Sequence, residues 1–135
     1  MDVSMRTKIG AIAVFAVSIW ATPLFAHHTI SAVYDVDTLV TLKGVVTEVD
    51  WRNPHVVFHL DVRNDDGSVE SWAVETQAVY ILKRKGLPQD FARAGDAVSM
   101  DVFLAKDGSR KAAMQSITSP AGTATVSMLP NGALR

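Results

Sequence analysis

From Leu39 onward the chain alternates apolar and polar positions in short runs separated by turn residues. Val40 and Leu42 keep one parity before Gly44, and Val45, Val49 and Trp51 keep the other after it. That change predicts a bulge or sharp bend at Gly44, with one long strand serving two parts of a curled sheet. Asn53-Pro54 marks a turn. Val56, Phe58, Leu60 and Val62 then alternate with His55, Val57, His59 and Asp61, a clear two-residue period. Asn64-Asp65-Asp66-Gly67-Ser68 has hairpin chemistry, because glycine accepts the positive φ that such turns need. Val69 to Glu75 is the return strand, with Trp72 and Val74 on one face.

Thr76 is placed to cap a short helix from Gln77 to Lys85, with Val79 and Leu82 turned inward. Lys83-Arg84-Lys85 suits the helix C-terminus, where the dipole favours positive charge, and Gly86 can close it. A fourth strand follows at Val98, Met100, Val102 and Leu104, and a fifth from Lys111 to Thr118 after the Lys106-Asp107-Gly108-Ser109 turn. The order β-β-β-α-β-β, with a long bent first strand, predicts a mainly β fold. It is that of a small five-stranded OB-like barrel with one short helix between strands three and four. An open antiparallel sheet or sandwich covered by the helix is the alternative.

The first 38 residues do not follow this pattern. Arg6 and Lys8 precede an apolar run from Ile9 to Trp20, and Ala21-Thr22-Pro23-Leu24-Phe25-Ala26 ends it with a proline and a small residue. A basic start, an apolar stretch and a small-residue exit form the pattern of a secretory signal, with cleavage expected after Ala26. A bilayer span needs about 20 consecutive apolar residues, more than this run supplies. The expected division is a signal at 1–26, an arm at 27–38, the OB-like domain at 39–118 and a loosely ordered tail at 119–135. A periplasmic or secreted protein with no membrane span in its mature form follows.

Export changes the charge only slightly. Of 13 Lys and Arg, removing Arg6 and Lys8 leaves 11; of 14 Asp and Glu, removing Asp2 leaves 13, for a formal charge of −2. Nucleic-acid binders usually carry a basic footprint, so no nucleic-acid partner is expected. There is no cysteine, which excludes disulfides, thiolate metal sites and thiol nucleophiles together.

The candidate chemistry lies in the histidines. His27 and His28 open the chain if cleavage follows Ala26, and a terminal amine with the imidazole of the same residue can chelate one metal. Nitrogen donors in tetragonal geometry suit copper, with zinc and nickel less favoured. His55 and His59 stand four apart and share one strand face, about 13 Å apart along a straight strand. Only one of them can join the N-terminal pair, and His55 is favoured because the Asn53-Pro54 turn can fix its ring. The metal set is therefore His27, His28 and His55, with His59 and Glu75 as additional candidates. Glu75 can accept a hydrogen bond from a ligating histidine or ligate directly. Trp51, Asn53 and Trp72 are candidates for a ligand-contacting face, although packing explains the tryptophans equally well. Asp35 is equally ambiguous. No nucleophile turn or glycine-rich phosphate loop is present, so nothing reads as catalytic.

Taken together, several motifs resemble a family of small exported bacterial proteins of unknown function. They are His27-His28-Thr29, Tyr34-Asp35, Leu42-Lys43-Gly44-Val45-Val46, Trp51-Arg52-Asn53-Pro54-His55, Trp72-Ala73-Val74-Glu75, Gly95-Asp96 and Lys106-Asp107-Gly108-Ser109. Thr29 stands where that family usually has serine. The resemblance implies a periplasmic location and brings no activity or ligand. Three readings remain: a copper-binding protein, a non-enzymatic OB-like module for a peptide, glycan or partner protein, and, least favoured, an enzyme.

Overall fold

A computed structural model describes residues 30–129. The strands are β1 (Tyr34–Asp50), β2 (Val57–Arg63), β3 (Val69–Glu75), β4 (Ala97–Ala105), β5 (Lys111–Ser119) and β6 (Gly122–Thr125). One helix, α1 (Val79–Arg84), lies between β3 and β4. Strands pair in the order β3-β2-β1-β4-β5-β6, and a further β3–β5 pairing closes the first five into a barrel. That closure is parallel, Ala73 to Glu75 running beside Lys111 to Ala113, and the other pairings are antiparallel. A five-stranded barrel with this connectivity is the OB-type architecture.

Closure depends on β1 serving two neighbours. Its Leu39 to Val45 stretch pairs with β4, and its Val45 to Asp50 stretch pairs with β2. The change of parity occurs at Thr47, where Val46 faces Leu60 and Glu48 faces His59, and not at Gly44. Leu42 and Val46 are therefore buried on one parity while Val49 and Trp51 pack against the core on the other. Val45, expected inside, is 43% exposed. Gly44 has another duty. A Cβ there would lie 2.6 Å from the Asp61 carbonyl oxygen, so glycine permits β1 and β2 to approach closely.

The barrel is filled by Phe58, Leu60, Val74, Met100, Val102, Met114 and Ile117, with Leu82 of α1 and Leu87 beneath them. Each large side chain so buried stabilises the fold by about 1.5–3 kcal/mol. α1 is shorter than expected. Its N-cap is Ala78, and Thr76 is instead fully buried at the end of β3. At the other end Gly86 takes φ +79°, and the Leu87 amide donates to the Leu82 carbonyl at 3.0 Å. This closes the helix with a left-handed glycine, as the sequence suggests.

Both flanks of the expected 39–118 domain extend further. Residues 34–38 of the expected arm belong to β1, and residues 122–125 of the expected tail form β6 on the edge of β5. The tail holds because Ala124 and Val126 bury apolar surface and the Val126 amide donates to the Gln115 carbonyl at 3.0 Å. A second apolar cluster of Tyr34, Phe103, Ala105 and Ala113 is covered by Ile30, Val36, Met128 and Leu129. Both ends of the described chain meet there. Among the described residues no helix is long and apolar enough to cross a membrane.

Candidate functional site

Three side chains from three separate segments meet where β3 ends. Asn53-Pro54 is a cis peptide in the connection from β1 to β2, and His55 follows it directly. His55 thus lies just outside β2 rather than within it. Glu75 closes β3, opposite Val57 of β2 and Ala113 of β5. Tyr34 opens β1, opposite Ala105 of β4. His55 Nδ1 pairs with Glu75 Oε1, and the Tyr34 hydroxyl donates to Glu75 Oε2 at 2.8 Å.

The corner holding His55 is fixed on both sides. The Val56 amide donates to the Gln77 carbonyl at 3.1 Å, and the Thr76 amide donates to the Val56 carbonyl at 2.9 Å. Asn53 Oδ1 accepts the Val79 amide at 3.1 Å, satisfying a helix N–H that Ala78 has no side-chain oxygen to meet. The Asn53 Oδ1 is therefore engaged by the scaffold.

The electrostatics follow from burial. Tyr34 is 5% exposed within its apolar cluster. Burial first, then the hydrogen bond and the negative charge of Glu75, push its phenol well above the ordinary tyrosine value. It is a lasting neutral donor. An ionised carboxylate only accepts, so a neutral His55 paired with Glu75 carries its proton on Nδ1. Its other nitrogen, Nε2, then keeps a free lone pair on a side chain that is 42% exposed.

The remaining sequence candidates are scattered. His59 sits along β2, opposite Ala73 of β3 and Glu48 of β1, and does not join His55. Trp72 is buried inside the barrel wall beneath Arg110, whose guanidinium lies 5.3 Å from the ring centre and pairs with Glu70 at 2.5 Å. Trp51 is half-buried against the core. Asp35 accepts the Asp37 amide at 3.3 Å. Among the described residues no three His, Asp or Glu side chains converge as a complete metal site.

His27 and His28 lie outside the described residues. The segment following them is anchored: Lys106 Nζ donates to the Ser31 carbonyl at 2.6 Å, the Lys106 amide donates to the Val33 carbonyl at 2.9 Å, and Ile30 packs on the Tyr34 cluster. Tyr34 is the member that sequence reasoning missed as a site residue. No periodicity marks it, and only its place in the Tyr34-Asp35 motif distinguishes it.

Fold and corner together define a small OB-type β barrel presenting a carboxylate-held histidine at one end of its wall. The chain belongs to a family of unknown function, DUF6152, whose profile matches residues 14–114. No curated protein matches it. Among solved structures it is similar to a mitochondrial single-stranded DNA-binding protein from S. cerevisiae, Rim1. The identity is 10% and the TM-score 0.48, over 62% of this chain and 93% of that one.

Proposed function

We propose that this is an exported protein, trimmed after Ala26, that binds copper through the His27 amine and imidazole, His28 and His55, to buffer or deliver it. The observation that carries this reading is the pairing of His55 Nδ1 with Glu75. A metal-ligating histidine almost always gives its second ring nitrogen to a carboxylate or carbonyl, which fixes the tautomer and raises the basicity of the ligating nitrogen. His55 has that partner and leaves Nε2 free.

The anchored arm supports the same reading. Tyr34, four residues beyond Ile30, shares Glu75 with His55. Three residues can span at most about 10 Å, so the chain length keeps His27 within that reach of Ile30, which packs on the Tyr34 cluster. Two imidazoles, an amine and a third imidazole form the nitrogen-rich set that suits Cu(II), and with no cysteine in the chain no thiolate competes. The ion would be the cargo, and the chain's own part is to supply nitrogen donors, with the His55 Nε2 held at a fixed place.

The test is Cu(II) affinity of the chain beginning at His27, set against the same chain with its terminal amine acetylated. The account expects a nitrogen-dominated EPR signal from the first form and a large loss in the second. Equal binding by both forms would sink it.

One observation favours a second reading, a non-enzymatic binding module. Val45 and Val69 are 43% and 50% exposed on the outer wall of β1 to β3, flanked by Asp61 and Arg63. A shallow apolar spot with mixed charge at its rim suits a peptide or partner protein. On this reading the metal-free protein retains its ligand and His27→Ala changes nothing.

A further inference from the structure

We infer that Tyr34 is a positioning residue for this corner: by occupying Glu75 Oε2 it holds Glu75 Oε1 on His55 Nδ1, so that the neutral imidazole carries its proton on Nδ1 and its lone pair on Nε2. What the held tautomer is for rests on the metal reading. Whether it is held does not.

Glu75 alone is a poor holder. Its side chain is 32% exposed and joined to the barrel only through its own rotatable bonds. Free of a second restraint, a carboxylate at a strand end can turn to solvent, and the histidine can then place its proton on either nitrogen. Tyr34 removes that freedom. Its ring is buried in one cluster with Phe103, Ala105 and Ala113, and Ile30 and Met128 pack against that cluster. A ring held on several sides aims its hydroxyl at one point, and that point is Glu75 Oε2 at 2.8 Å.

The arrangement also bears on the part Glu75 plays. With one oxygen taken by a buried phenol and the other by the imidazole, both of its carboxylate oxygens are engaged within the protein. On this inference Glu75 acts through His55, as the partner that orients its ring. Tyr34 also begins β1 directly after the anchored arm, so the residue that orients His55 is covalently continuous with the segment leading back to His27 and His28.

The test contains no metal. The processed chain is labelled with 15N at histidine, treated with chelator and observed at about two pH units above the ordinary histidine pKa. Long-range proton–nitrogen correlations then show which ring nitrogen carries the proton. The inference expects His55 with its proton on Nδ1, and in Tyr34→Phe a tautomer ratio lower by about three- to tenfold, with His59 unchanged. A wild-type His55 protonated on Nε2, or a ratio unaltered by Tyr34→Phe, overturns it. If Tyr34→Phe does not fold, fluorotyrosine incorporation replaces it: a more acidic Tyr34 phenol must move the His55 Nδ1–H resonance, and no movement overturns the inference. Copper binding can fail with the tautomer held, and the tautomer can prove mobile while copper still binds, so the two readings fail separately.

Discussion

The side-chain oxygen of Asn53 accepts the main-chain amide of Val79 at 3.1 Å, tying the turn that carries His55 to the first residue of the helix that seals the barrel. One residue thus does the work of a helix cap from a distant part of the chain. The corner and the barrel end are consequently one structural unit.

Removing that oxygen has a cost typical of a lost cap. Asn53→Ala is expected to destabilise the protein by about 1 kcal/mol, and Asn53→Asp by less, because a carboxylate can still accept the amide. Urea midpoints of the three proteins check this. The His55 resonances should shift in Asn53→Ala as its turn loosens.

Gly44→Ala is expected to be worse. The added carbon would meet the Asp61 carbonyl oxygen at 2.6 Å, and that neighbour is backbone, which cannot rotate aside. Forcing β1 from β2 there should cost about 1–3 kcal/mol, the range for overpacking. An unchanged denaturation midpoint would mean that the strands can separate freely at Gly44.

Tyr34 gives stability a dependence on alkali. Its phenol is raised in the folded protein above the unfolded value of about 10, so the folded state keeps a proton that the unfolded chain has lost. The contribution is fully present below about pH 10 and is lost as pH climbs through the folded value. Between about pH 9 and pH 12, urea midpoints of the wild type should fall more steeply than those of Tyr34→Phe. Parallel slopes would show that Tyr34 titrates alike in both states.

Glu75→Gln keeps the size of the side chain and removes its charge. Loss of a histidine-orienting partner usually weakens metal binding by about 10–100-fold, and that is the fall expected in Cu(II) affinity. His59→Ala should leave the affinity unchanged, since His59 lies away from this corner.

Much of the barrel was legible in the sequence because strands declare themselves locally. The Val56-to-Val62 alternation, the Asn64-to-Ser68 turn and the Gly86 helix stop each act through neighbouring residues, and each holds in the structure. The errors came where distant parts of the chain decide. Parity alone could not distinguish a bulge at Thr47 from one at Gly44, since the choice rests on which β2 residues stand opposite. Thr76 looked like a cap because no local rule shows that Asn53 supplies one instead. The strand from 122 to 125 was hidden in small residues whose only reason to be ordered is the free edge of β5. At the site, His55 and Glu75 stood out by chemical type. Tyr34 did not, because its role exists only through closure of the barrel.

The most direct test places the ion on the fold. Substoichiometric Cu(II) added to the uniformly labelled chain beginning at His27 should broaden the NMR signals nearest to it. The account predicts loss of the His55, Tyr34 and Glu75 signals, with the Asn64-to-Ser68 hairpin and β6 untouched. Broadening centred on His59, or a binding-induced change that leaves the His55 corner sharp, would contradict it.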